Sequence, residues 1–427
     1  MNEIEPKAFL TKLFKQAVAA ADPAILMNEY LPDQVKGRTI VIGFGKASGA
    51  MAKAFEMVWQ NVGRMPLEGL VVCAYGNVVL PNNIETIMAA HPVPDENSEL
   101  AARRMLDLVG NLAKDDLVVA LISGGGSALL SLAHAPISAS DKREVNKALL
   151  KGGVPIAKMN CIRKHLSVIK GGRLARAAYP AKVISLVISD VPGDDPALVA
   201  SGPTIADSTS RKEALQIIKD YNLALPKTVL DWLNSAKSAA PKPDDIEFKN
   251  NQTHLIATSN ISLKAAAKMA EVQGVNAHII SDAIEGEASI VGAEHAKMVR
   301  QIVAGKHLLK KPILLLSGGE TTVTLKNKFG KGGRNSEYLL SLAIGIDGVK
   351  NVFALAADTD GIDGSENNAG AYVNYDTVKQ MQRLGIDASD CLQLNDAYSA
   401  FAAVDDLIVT GATATNVNDF RAIFIGE

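Results

Sequence analysis

Cysteine is scarce in this chain, with three residues, Cys73, Cys161 and Cys391, among 427. They lie far apart and form no CxxC pair, which excludes a disulfide framework and points to a reducing compartment. Charge of one sign is missing too. A net charge of −2 provides no field for binding nucleic acid or an anionic membrane. No run of about 18 apolar residues occurs, so no membrane helix is expected. The opening "MNEIEPKAFL" lacks the apolar segment of a signal peptide. There is no HExxH, no Walker A loop and no GxSxG elbow, which argues against a zinc hydrolase, a P-loop NTPase and a serine hydrolase. These absences leave a cytoplasmic enzyme with no nucleic-acid or membrane partner.

What is present is a hydrophobic fraction of 48%, ample for a core, in a chain long enough for two large domains. Short β-branched apolar runs at 39–44, 69–74, 85–90, 117–123 and 183–189 read as parallel strands buried on both faces. Helical patterns alternate with them. In 96–113, Leu100, Met105, Leu106, Leu108 and Leu112 form an apolar face. Such alternation predicts an α/β fold with a Rossmann-like, doubly wound, mostly parallel sheet. Residues 236–252, rich in Pro, Lys, Asp and Asn, read as a linker. Strand patterns resume at 253–258, 277–281, 312–317, 352–357 and 421–425. The expected domains are therefore 1–235 and 253–427, both α/β.

The stretch "VIGFGKASGAMA" (41–52) runs from a strand through Gly45 and Lys46 into a helix at Ser48. Helix N-termini attract anions, and a lysine adds a point charge for phosphate or carboxylate. The dinucleotide fingerprint is broken: Ser48 holds the third glycine position, and the next strand ends without an acid for ribose. A second strand runs into Ser123, Gly124, Gly125, Gly126 and Ser127. Three glycines suit close ligand approach or a nest of N–H groups. An echo of this pattern, Ser317, Gly318, Gly319 and Glu320, follows a strand in the second half. From Val145 to Ser189 there are nine Lys or Arg and no Asp or Glu. Arg163 and Lys170 in that run are candidates to line an anion site, while Ile162, Leu166 and Ile169 face the core.

Carboxylates gather beyond two further strands, with Asp190 in "SDVPGDDP" and Asp358, Asp360 and Asp363 in "DTDGIDG". Such groups suit Mg²⁺, or serve equally as Asx turns and helix caps. Ala369 stands where an EF-hand needs glutamate, so calcium is disfavoured. "GKGGRNSE" places Arg334 in a glycine-rich loop entering a helix, where it reads as a mobile arginine able to stabilise phosphoryl charge. His91, before two prolines, is either a substrate contact or a structural histidine.

In their order, "GFGKAS", "HPVPDE", "SGGGSAL", "RKHLSVIKGGRLA", "SDVPGDDPALVASGPT", "SGGETTVT", "GGRNSE", "DTDGIDG" and "TNVND" resemble the class II glycerate kinases. Those enzymes carry a C-terminal domain called MOFRL, and the resemblance covers nearly the whole chain. It implies phosphorylation of D-glycerate at the C2 hydroxyl by ATP with a divalent metal, in a cleft between the domains, by a monomer or homodimer. It implies Lys46 and Arg334 as catalytic residues. Asp190, Asp358 and Asp360 become the metal candidates, with Asp190 also a candidate base. The glycine and serine loops above, with Arg163 and Lys170, become the phosphate- and substrate-binding set. The pattern departs at Ala412, Ala414 and Ser336. The rival readings are an NAD(P)-dependent hydroxypyruvate reductase, a kinase for another 2-hydroxy sugar acid, and a sugar-acid-binding protein.

Overall fold

A computed structural model describes residues 5–64, 67–76, 79–326 and 330–427. The chain divides into two units. One comprises Leu26–Ser189 with Asp195–Ile256; the other comprises the residues up to Ile25, the turn Asp190–Asp194, and Ala257–Glu427.

The first unit is built on β1 (Thr39–Phe44), β2 (Glu68–Ala74), β3 (Glu85–Ala89), β4 (Leu117–Ile122), β5 (Lys182–Ile188) and β6 (Gln252–Ala257). The sheet order is β3-β2-β1-β4-β5-β6, and the pairings from β3 to β5 are parallel. Every residue of β4 is buried, as a strand covered on both faces requires. The chain leaves β1 toward β2 on one side and later fills β4 on the other. Open α/β sheets bind ligands at such a switch point, beyond the carboxyl ends of the strands. Helix Glu96–Val109 turns Ala101, Ala102, Met105 and Val109 inward and leaves Leu100 exposed. Small alanines let it approach the sheet more closely than the leucine-rich face expected from the pattern would.

The second sheet contains β7 (Ala277–Glu287), β8 (Ile313–Thr322), β9 (Val352–Asp358), β10 (Gly370–Asn374), β11 (Leu407–Ile408) and β12 (Asp419–Ile425). Its order is β11-β10-β9-β12-β8-β7; only the β7–β8 pairing is parallel. Residues alternate between two cores. Ile313, Leu315, Ala354, Ala356 and Ile423 face helices Ala288–Val303 and Arg334–Ile346. Leu314, Leu316, Leu355 and Ala422 face helices Pro6–Ala19 and Ser259–Val272. The period of two is what sends successive side chains to opposite faces.

Two expected boundaries differ from the structure. The helix Pro6–Ala19 belongs to the second unit, not the first. Glu5 caps it, Phe9 meets Phe424 edge-on at 5.6 Å, and Ser262 Oγ donates to Ala17 O at 2.8 Å. The segment 236–252 is not a free linker. Arg173 donates to the carbonyls of Ser238 and Ala239, and Val183 N donates to Asn251 Oδ1 at 2.9 Å, so the segment is tied into the first unit.

Candidate functional site

In the first unit, the turns after β1 and β4 meet because their strands are neighbours, with Phe44 opposite Ile122. Lys46 N donates to Gly124 O at 2.8 Å, and Ala47 N donates to Ser123 Oγ at 3.0 Å. Gly45 has φ +133°, and a Cβ there would lie 2.2 Å from Ser123 Oγ. Only glycine permits both the backbone angle and the approach. Gly125, at φ +78°, has the same logic. A Cβ on it would lie 3.1 Å from the His91 ring and 3.3 Å from Lys46 Cγ. Lys46 is exposed, with its stem and the His91 imidazole against one glycine. Partial burial, and then the Lys46 charge, push the His91 pKa down, so the ring is a neutral hydrogen-bonding group at pH 7.

Three of the expected ligand serines and glycines have internal duties here. Ser48 is fully buried, its hydroxyl 2.8 Å from Gly45 O and 2.9 Å from Val72 O, so it donates inward. Ser123 is fully buried and braces the β1 turn. Gly126 is forced by contact, since a Cβ would meet Ala200 Cβ at 2.7 Å. Ser127 is half-buried, its Oγ 2.7 Å from Ser201 Oγ. Ala200 and Ser201 hold φ of +52° and +63°. Two consecutive non-glycine residues in the left-handed region are strained, and such strain gathers at functional sites.

The cations of the 163–173 segment separate into two groups. Lys164 pairs with Asp207 at 3.5 Å, and Arg173 is spent on four backbone carbonyls. Arg163 and Lys170, by contrast, line a cavity of about 180 Å³ together with Lys142. The helix carrying Arg163 ends at His165, so the two cations meet through the turn that follows. Lys170 Nζ donates to Ser127 O at 2.7 Å, Arg163 Nε to Asn146 Oδ1 at 3.0 Å, and Lys142 Nζ to Ser131 Oγ at 2.7 Å.

In the second unit, Arg334 begins helix Arg334–Ile346 and is held by three carboxylates. It reaches Asp419 Oδ1 at 2.6 Å, Asp358 Oδ2 at 2.7 Å and Glu320 Oε1 at 3.2 Å. The expectation of a mobile loop arginine is therefore corrected. Burial works to release its proton, but Asp419, Asp358 and Glu320 outweigh it and raise the pKa. Asp363 caps the same helix, accepting from Asn335 N at 2.9 Å and Ser336 N at 2.8 Å.

Ser317, Gly318 and Gly319 lie inside β8 rather than in a loop. A Cβ on Gly318 would meet Ser259 Oγ at 2.0 Å, and one on Gly319 would meet Ile284 N at 2.2 Å. Crowding by neighbouring elements explains the glycines. Glu320 is exposed and serves Arg334.

Among the described residues, no group of three or more His, Cys, Asp or Glu is arranged to hold a metal. Asp190, Asp358 and Asp360 are thus not brought together as a ligand trio. Asp190 is half-buried, and its carbonyl accepts from Asn418 Nδ2. Asp358 and Asp360 are adjacent: Asp360 N donates to Asp358 Oδ1 at 3.0 Å. Burial, and then the charge of Asp360, push the Asp358 pKa up, while the Arg334 guanidinium works against both. A divalent cation would relieve that repulsion. This pair fits the mode in which Mg²⁺ takes one or two carboxylates and fills its shell with water and phosphate.

Comparison with known proteins sets these sites in a family. A domain of unknown function (DUF4147) matches residues 9–234, and the MOFRL family matches 313–419. A protein of Agrobacterium vitis named "Putative hydroxypyruvate reductase" is 46% identical over 426 residues, covering 100% of this chain and 96% of its own. The D-glycerate 2-kinase of Thermotoga maritima is 37% identical over 414 residues, with 97% of each chain covered. The crystal structure of the Thermotoga maritima glycerate kinase superposes with a TM-score of 0.88 at 36% identity, covering 98% of this chain and 99% of that one. The chain belongs to the glycerate 2-kinase family. This family member carries its cationic cavity partly on residues that motif reading passed over. Lys142 and Asn146 sit in an ordinary-looking charged helix, Ala139–Lys151, and only packing turns them toward Arg163 and Lys170. Ser201 was legible only as part of a motif string; its backbone strain carries no sequence signal.

Proposed function

We propose that this protein is a D-glycerate 2-kinase, transferring the γ-phosphoryl group of ATP to the C2 hydroxyl to give 2-phosphoglycerate and ADP. The observation that carries the reading is the switch-point turn. There Lys46 stands over Gly125 and beside a neutral His91, in a member of this family. In the reaction the C2 oxygen attacks the γ-phosphorus, the bond to the β,γ-bridging oxygen breaks, and the hydroxyl proton passes to a base, assigned to Asp190. Transfer of this kind needs positioning and charge neutralisation more than covalent help. Lys46 supplies a point charge for the phosphoryl group or the glycerate carboxylate. Arg334, with its orientation fixed by Asp419 and Asp358, supplies a planar fork for phosphoryl oxygens. Asp358 and Asp360 would hold Mg²⁺, whose chemistry there is neutralisation of phosphate charge. The protein works in the cytoplasm, as a monomer or homodimer.

The name of the Agrobacterium vitis relative favours a second reading, reduction of hydroxypyruvate by NAD(P)H. Against it stands the turn itself: Ser48 replaces the third fingerprint glycine and points inward. One experiment separates them. ³¹P NMR of protein, ATP, Mg²⁺ and D-glycerate should yield a 2-phosphoglycerate signal that a control without glycerate lacks. Absence of a new phosphoester, with NADH oxidised by hydroxypyruvate, would replace the kinase with the reductase. Phosphorylation only of other hydroxy acids would shift the substrate.

A further inference from the structure

The cavity beside the switch point holds three cations, and none of its lining residues is Asp or Glu. Lys170 is only 8% exposed. Its partner is a carbonyl, Arg163 has a side-chain amide, and Lys142 has a hydroxyl. Neutral acceptors satisfy N–H groups without cancelling charge, so repulsion and desolvation both stand against this cluster. The same chain segment handles other cations differently: Lys164 faces Asp207, whose charge also acts on Arg173. Within this segment Arg163 and Lys170 are the cations left to neutral acceptors, and an incoming anion would compensate them. A volume of about 180 Å³ is below the range of roughly 300–1,000 Å³ usual for drug-sized ligands. The space suits a small acid. Beside several serines and Asn146, its wall has an apolar part, with Pro92, Leu132, Val145 and Leu166, that would cover a short carbon chain. Pro92 follows His91, and Ser127 follows the triple glycine, so the cavity adjoins the two loops that Lys46 packs against.

We propose that this cavity is the carboxylate subsite for the small 2-hydroxy acid, with Arg163 and Lys170 gripping the carboxylate and Lys142 completing the positive wall. The assignment rests on the kinase reading for the identity of the acid. It also couples binding to a proton. Burial, and then Lys142 and Arg163, push Lys170 down to about 7; Glu99, from helix Glu96–Val109, acts on Lys142. A bound carboxylate stabilises the ammonium form, so above neutral pH the acid binds together with a proton.

The test is calorimetric titration of D-glycerate into the full chain near pH 8, with and without ADP. It is run in two buffers of different ionisation enthalpy, on the wild type, Lys170→Met and Arg163→Gln. Replacing a buried ammonium by a methionine of similar shape removes a desolvated charge, so the fold is retained; thermal melts check both variants. The wild type should take up about one proton per glycerate, and Lys170→Met should take up none. Both variants should bind glycerate roughly 10- to 100-fold more weakly, with the KM for ATP unchanged. Wild-type glycerate affinity in both variants would overturn the subsite. So would a rise in the KM for ATP with inorganic phosphate, rather than glycerate, driving the proton uptake. A wild type that binds glycerate with proton uptake but makes no phosphoester would remove the kinase and leave the subsite standing.

Discussion

Arg334 Nε lies 2.6 Å from Asp419 Oδ1, and Asp419 is 1% exposed. The other oxygen of that carboxylate is taken by Arg421, itself buried against the ring of Tyr338. Burial alone would raise the Asp419 pKa, but the Arg421 and Arg334 guanidiniums together hold it below the usual value. One carboxylate therefore fixes both a core arginine and the arginine proposed for catalysis. Asp419→Asn should leave Arg421 buried without its counter-charge and cost about 3–5 kcal/mol. Denaturant unfolding at neutral pH would read this. Unchanged stability would mean that the Arg421 charge is compensated elsewhere.

Lys46→Met should behave in the opposite way. Its side chain is exposed, and backbone bonds and Ser123 hold the turn. Stability should hold, while kcat for D-glycerate falls by roughly 10²–10³-fold, the loss expected on removing one preorganised charge-stabilising group. Steady-state kinetics beside a thermal melt would check both halves. Near-normal turnover would take Lys46 out of the mechanism.

The two sheets were legible because short β-branched runs carry their own signal, and β1, β4, β5 and β9 fall within a residue of the expected places. β10 and β11 were not, being five and two residues long. The turns at Gly45 and Gly125 were legible as special, since repeated glycine after a strand demands a reason. The same argument misled at Ser317, Gly318 and Gly319. There the reason is Ser259 and β7 crowding a strand, and crowding by distant elements leaves no local trace. Lys142 shows the converse. Nothing in "DKREVNK" separates the lysine that enters the cavity from those that stay in solvent. Asp419 and Arg421 sit at alternating positions of a strand whose residues are all buried, and a sequence pattern cannot reveal that their charges meet.

Stability should depend on pH through His295. The ring is 6% exposed, its Nδ1 is 2.7 Å from Tyr338 Oη, and burial, then the Arg421 charge, push its pKa down to about 4. An unfolded histidine titrates near 6.5. Between those values the unfolded chain binds the extra proton, so stability is full above about 6.5 and is lost as pH falls toward 4. Moving from pH 7 to pH 5 should cost about 2 kcal/mol from this group. His295→Gln keeps a polar partner for Tyr338 and should flatten that part of the slope. An unchanged slope between the two proteins in urea titrations would assign the pH dependence to other groups.

The metal assignment separates two neighbouring carboxylates. Asp358 is buried and bonded to Arg334, whereas Asp360 is half-buried and tied to the backbone of Ile362 at 3.0 Å. Asp360 is the more accessible donor for a cation that keeps waters and phosphate oxygens. Chelation with EDTA should abolish phosphoryl transfer, and added Mg²⁺ should restore it. Asp360→Asn should shift the Mg²⁺ concentration for half-maximal activity upward by roughly 10- to 100-fold, with the KM for glycerate little changed, since losing one charged ligand contact costs about 1.5–3 kcal/mol. Asp358→Asn should do more: it loses a Mg²⁺ donor and a charged partner of Arg334, so kcat falls even at saturating Mg²⁺. If both variants titrate with Mg²⁺ as the wild type does, the metal is held by phosphate and other residues, and Asp358 serves Arg334 alone.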